Sequence, residues 1–265
     1  MSQLLSRVLV TVVALPAVLW LAWLGGWWLF GLVFVAALIG LHELYAMARS
    51  LRPLVLAGYV GATATLLGAH LGGPEWMVGG FVLTLPLAFL LYGIAETRQT
   101  GTITMGTTVL GVAWVGLGLG HLLLLRDIPD HGDLAILTVL LAVFADDTAA
   151  YFIGRLVGRH KLAPALSPGK TWEGFVAGSA VAVAVAFFVL YDQDFLTIPE
   201  SLALGAALAL AGAAGDLFES ALKRDLQVKD SGRLLGGHGG MLDRIDAHLF
   251  AAVAGFYVIL AFGYA

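Results

Sequence analysis

The sequence predicts an all-α polytopic membrane protein of about nine transmembrane helices, with a cytoplasm-facing polar active site in its C-terminal half. Three observations predict it. Of 265 residues, 60% are hydrophobic and 12% charged, with a mean hydropathy of +0.91, more apolar surface than one soluble core could hide. Apolar runs long enough to cross about 30 Å of hydrocarbon recur along the chain. The ionisable residues crowd into 216–246, DLFESALKRDLQVKDSGRLLGGHGGMLDRID, between two nearly pure hydrocarbon stretches. Such groups at a bilayer boundary cost several kcal/mol unless paired, hydrated or bound to a metal, so the cluster implies a site.

Taken in order, the apolar runs lie near 8–24, 27–47, 54–71, 76–95, 105–125, 134–156, 172–191, 201–222 and 247–264. The first has the look of a secretory leader, but only Gly25 and Gly26 separate it from the second, so it is read as an uncleaved anchor. Arg49, Arg52, Arg98, Arg155, Arg159, Lys161, Lys170, Lys223, Arg224, Lys229, Arg233 and Arg244 fall on one side of a nine-span arrangement, with Arg126 opposite. Cations in short loops stay in the cytoplasm, which puts 157–171 and 216–246 on that side. Residues 1–132 carry few charges and many Gly and Ala, suiting close helix packing, whereas 133–265 carries the chemistry. No linker divides them, so a single membrane-embedded unit is expected.

Composition excludes several classes. The absence of Cys removes disulfides, thiol catalysis and Cys-ligated zinc. With 14 Lys and Arg against 18 Asp and Glu, no basic stripe is available for nucleic acid. Carboxylate and phosphate chemistry remains.

Asp216, Glu219, Ser220, Lys223 and Arg224 share one stripe of a helix. Two carboxylates, a hydroxyl and two cations aimed at one place suit a metal and a phosphate; a snorkelling, salt-bridged helix end is the bland alternative. Downstream, Gly236, Gly237, Gly239 and Gly240 surround His238, a backbone able to approach phosphates closely. Asp243 and Asp246 stand three apart, so a helix starting there would put both on one face, to bind a cation with Asp216. Mg²⁺ fits such carboxylates better than zinc, which favours more His than His238 alone. For His238, ordering the loop is as good a reading as catalysis.

Within the sixth run, Asp146 and Asp147 point about 100° apart on a helix, so one is expected at a ligand. Asp147, on the same face as Tyr151, is preferred, with a helix-packing hydrogen bond as the alternative. Glu43, beside His42 at the end of the second run, reads as interfacial and stays outside the candidate site. SPGKTWEG, 167–174, contains Gly169-Lys170-Thr171 but lacks the earlier Gly of a phosphate-binding P-loop, Pro164 standing there. Lys170 still suits a phosphate contact beside a helix that starts near Thr171; capping by Ser167 to Glu173 is the alternative.

The run SALKRDLQVKDSGRLLGGHGGMLDRID resembles the signature of the integral-membrane phosphatidate cytidylyltransferases, or CDP-diacylglycerol synthases. The resemblance fixes Ser220, Lys223, Arg224, Lys229, Asp230, His238, Gly239, Gly240, Asp243, Arg244 and Asp246 in order and spacing. The upstream DDTAAYFIGRLVGRHKLAPALSPGKTWEG resembles the family's second block, while the N-terminal half agrees only in hydropathy. Gly236 stands where the family often has Pro, and Gly169 where it commonly has a second Lys.

The resemblance implies a bacterial cytoplasmic-membrane enzyme of phospholipid biosynthesis that joins CTP and phosphatidate into CDP-diacylglycerol and pyrophosphate. The lipid phosphate attacks the α-phosphorus with no covalent enzyme intermediate. It assigns Mg²⁺ to Asp216, Asp243 and Asp246, with Asp147 in support and room for a second, monovalent cation. Lys170, Lys223, Arg224 and Lys229 would hold phosphates, and Ser220, Asp230, His238, Gly239, Gly240 and Arg244 complete the substrate contacts. A homodimer is left open. A CDP-alcohol phosphotransferase is a poorer match, since it needs Asp-Gly-x-x-Ala-Arg and Asp-x-x-x-Asp. An ion-coupled transporter is the other alternative.

Overall fold

The computed structural model describes residues 3–94, 100–232 and 239–264, with side chains from Ala14 onward. The chain is an all-α polytopic membrane protein. Its helices are α1 (Gln3–Leu24), α2 (Gly26–Met47), α3 (Val55–Ile94), α4 (Gly101–Gly111), α5 (Gly118–Arg126), α6 (Gly132–Val157), α7 (Trp172–Leu190), α8 (Ile198–Asp225) and α9 (Leu242–Ala261). A π-helical segment, Val112–Leu117, joins α4 and α5 into one continuous span, Gly101–Arg126. Among the described residues seven helices are long and apolar enough to cross a membrane, α4 to α5 counting as one. To these α1 adds a shorter apolar stretch, Ala14–Leu24.

Two compact units form. One takes Met1–Leu124 and Leu226–Ile245; the other takes Leu125–Asp225 and Asp246–Ala265. In the first, α3 breaks at Gly73, whose φ of 73° and ψ of −158° suit only glycine. A Cβ on Gly61 would run into the Thr84 side chain, on Gly68 into the Trp76 carbonyl, and on Gly80 into the Ala64 carbonyl. These partners ascend on one side as they descend on the other, so 55–72 and 74–94 pack antiparallel. Small residues let the two backbones touch where lipid supplies no hydrophobic drive. Tyr45 of α2 wedges between Gly58 and Gly111, and its hydroxyl donates to the Thr108 carbonyl at 2.8 Å. Leu41, Leu66, Met77 and Leu123 fill this unit's core.

In the second unit, α6 and α7 pack antiparallel through Ala150, Gly154, Gly174 and Gly178. Gly205 of α8 lies against Val183 and Ala186 of α7, and Gly215 of α8 against Asp246 and Ala247 of α9. Ile136, Leu190, Leu204, Leu208 and Leu249 are buried there. Between α6 and α7 the chain forms an antiparallel hairpin, β1 (Lys161–Ala163) and β2 (Ser167–Thr171), with Lys161 opposite Thr171 and Ala163 opposite Ser167. This small sheet is an addition to the all-helical expectation.

Candidate active site

In the second unit, α6, the hairpin and α8 surround a cavity of about 600 Å³. Into it face Asp146 and Asp147 of α6, Lys161 and Lys170 of the hairpin, Arg155 of α6 and Asp216 of α8. The sequence expected one of the adjacent aspartates at a ligand; here both line the cavity. Asp146 is buried and Asp147 exposed, yet both line the same space, because a cavity this wide is met by side chains about 100° apart. Gly178 makes the room for Asp146: a Cβ there would strike the Asp146 carboxylate, while one on Gly212 would stop 4.0 Å from Asp146 Oδ2.

Lys170 Nζ pairs with Asp216 Oδ2 at 2.5 Å, and both side chains are only partly exposed. The Lys170 charge also acts on Asp146. The hairpin that carries Lys170 is pinned at several points. The Thr171 hydroxyl accepts from Gly174 N at 3.2 Å and caps α7. The Glu173 carboxylate accepts from the backbone of Arg159 and His160 and meets His160 Nδ1 at 2.6 Å. From the end of α8, Arg224 Nε donates to the Leu166 carbonyl at 3.2 Å in the hairpin turn.

Along the α8 stripe, buried Glu219 accepts from Lys223 Nζ at 2.7 Å, and Ser220 is buried beside it. Asp246 of α9 is buried and stands within reach of the Asp216 and Glu219 charges. Its Oδ1 accepts from Ala247 N at 2.8 Å. The second unit thus gathers Lys170, Asp216, Glu219, Ser220, Lys223, Arg224 and Asp246 with Asp147, and adds Asp146, which the sequence had ranked behind its neighbour.

Asp243 belongs to the first unit. In the opening turn of α9 its carboxylate accepts from Gly240 N at 2.7 Å and from the Ser231 hydroxyl at 2.9 Å. Glu43, read from sequence as interfacial, is buried there and accepts from Met241 N at 3.0 Å and Leu242 N at 2.9 Å. Its only signal in the sequence was a carboxylate at the end of an apolar run. Gly239 takes a φ of 78°, and Lys229, Asp230 and Arg244 are exposed. His238, with Gly236, Gly237 and Arg233, lies outside the described residues.

Hard oxygen donors dominate the cavity and the helices behind it. Asp216 and Asp246 suit a divalent cation that takes one or two carboxylates and completes its shell with water and phosphate oxygens. Among the described residues no group of three or more His, Asp or Glu forms a ready cage. Arg155, Lys161 and Lys170 supply the positive charge that a polyphosphate needs.

Comparison with known proteins shows the family. The sequence profile of the cytidylyltransferase family matches residues 5–262. The chain is 34% identical over 249 residues to a phosphatidate cytidylyltransferase of Staphylococcus haemolyticus, covering 92% of this chain and 94% of that one. It is 35% identical over 251 residues to the Staphylococcus aureus (strain COL) protein of that name, with the same coverage. To the Brucella suis protein of that name it is 35% identical over 269 residues, covering 97% of this chain and 93% of that one. A match spanning nearly every element described above places this chain in the cytidylyltransferase family.

Proposed function

We propose that the protein is a phosphatidate cytidylyltransferase: CTP and phosphatidate give CDP-diacylglycerol and pyrophosphate. The observation that carries this reading is the cavity where Lys170, Lys161 and Arg155 face Asp146, Asp147 and Asp216, in a chain matched along its length to cytidylyltransferases. An oxygen of the lipid phosphate attacks the α-phosphorus of CTP, the bond from that phosphorus to the β-phosphate bridge breaks, and pyrophosphate leaves. Both reactants are anions, so the barrier is largely repulsion and the charge growing on the leaving group. Lys170 is placed to answer this charge. A phosphate entering the cavity competes for Lys170 Nζ and releases Asp216 Oδ2 from its ion pair. Arg155 and Lys161 hold the remaining phosphate oxygens, while Arg224 keeps the hairpin, and with it Lys170, in place. Mg²⁺ held by Asp216 and Asp246 would neutralise phosphate charge and polarise the reacting phosphoryl group, and the signature resemblance makes Asp243 a further candidate catalytic carboxylate.

The same reading has nine crossings, with the charged segments in the cytoplasm of a bacterial inner membrane. Counting α1 and dividing 55–94 at Gly73 supports the number. The exposed Trp23, Trp27, Trp28 and Trp76 beside the turns at Gly25 and Gly73 suit an aromatic belt at the opposite interface. The cations near 157–171 and 223–244 support the orientation.

Pyrophosphate release by purified protein tests the function. It is expected only with CTP, phosphatidate and Mg²⁺ together, and to stop with EDTA, Asp216→Ala or Asp243→Ala. Wild-type silence in folded, lipid-supplied protein would discard the reading.

A further inference from the structure

We propose that Glu43 is a positioning residue for cytidylyl transfer, an inference that rests on the function proposed above. Glu43 lies in the last turns of α2 and is 5% exposed. Oε1 accepts from Met241 N at 3.0 Å, and Oε2 accepts from Leu242 N at 2.9 Å and from the Ser231 hydroxyl at 3.3 Å. Leu242 opens α9, so a carboxylate from a distant helix satisfies donors that a helix N-terminus leaves unpaired. Gly232 and Gly240 approach it closely. A Cβ on Gly232 would strike Oε1 and one on Gly240 would strike Oε2, so glycine at both positions lets the backbone reach the carboxylate.

Ser231 carries the effect onward. Its hydroxyl has one proton for two carboxylates, Glu43 at 3.3 Å and Asp243 at 2.9 Å. It also accepts from Asp243 N at 3.3 Å, and Gly240 N donates to Asp243 Oδ2. Glu43 thereby sets both the loop backbone and the hydroxyl that hold Asp243. A carboxylate is the right group, because all three of its partners are donors. Glutamine has the same length but turns an N–H₂ toward one of them.

The test compares wild type with Glu43→Gln as full-length protein in detergent. Hydrogen exchange reads the amides of Gly240, Met241 and Leu242, kinetics read kcat and both KM values, and thermal unfolding reads stability. The expected result is faster exchange at those amides and kcat reduced about 30-fold, with each KM within about threefold, as misplacement of a reacting group produces. The unfolding midpoint should stay within about 4 °C of wild type, a span corresponding to a small loss in a domain of this size. A kcat within about threefold of wild type overturns the proposal, as does activity lost in step with a collapsed midpoint. If Glu43→Gln does not fold, Ser231→Ala decides, with about tenfold lower kcat expected at unchanged KM and an unchanged kcat counting against. Silence of the wild-type enzyme sinks the cytidylyl reading, whereas unchanged exchange at Gly240 to Leu242 sinks the role of Glu43 by itself.

Discussion

Lys170 and Asp216 meet at 2.5 Å on the wall of a cavity with three cations and three aspartates, so changing either residue disturbs two functions. Lys170→Met should raise the KM for CTP about tenfold, because one phosphate contact goes while the other two cations stay; initial rates against CTP check it. Asp216→Asn should lower kcat about 100-fold or more, because the electrostatic stabilisation lost acts in the transition state; a rise in KM with kcat intact would assign Asp216 to binding. Behind the wall, Gly178→Ala would drive a methyl into the Asp146 carboxylate, an overpacking expected to cost about 1–3 kcal/mol in unfolding measurements. The charged residues of 216–246 stood out as a candidate site because so many ionisable groups beside hydrocarbon are too costly to keep without a ligand or a partner. Asp146 was underweighted because helix geometry alone treats a ligand as a point, whereas the cavity is broad enough for both neighbours. Glu43 was illegible: its partners are Met241 and Leu242, 198 and 199 residues along the chain, and no local pattern announces a contact over that distance.

At the scale of elements, hydropathy located the helices well, since a bilayer admits little else with so many apolar residues in a row. The run near 172–191 became α7 and the run near 201–222 lies within α8. The hairpin escaped this reading, because three- and five-residue strands carrying Gly and Pro leave no periodicity to find. It is nonetheless what presents Lys170. Thr171→Ala should remove the cap of α7 at about 1 kcal/mol and should also loosen β2, a combination read by thermal unfolding together with limited proteolysis at 159–171. Within α3, Gly73→Ala forces a side chain into a backbone conformation that only glycine adopts readily, so a loss of about 1–3 kcal/mol is expected. A stability equal to wild type would mean the turn between 55–72 and 74–94 relaxes without cost.

For the whole molecule, the absence of cysteine makes topology directly measurable. Ala165→Cys in the exposed hairpin turn should resist an impermeant thiol reagent in intact cells and react after permeabilisation, while Gln193→Cys, between α7 and α8, should react at once. The reverse pattern would invert the orientation. Each compact unit takes chain from two separate stretches, which gives the buried Glu43 carboxylate a history as well as a place. A ribosome adding about 5–20 residues per second needs roughly 10–40 s to travel the 198 residues from Glu43 to Met241. Until then this carboxylate, already at the end of an inserted helix, has none of the loop donors that later enclose it. The nascent chain must therefore keep Glu43 hydrated or sheltered by the insertion machinery, and a chain truncated before Ser231 should be a preferred target of membrane quality-control proteases.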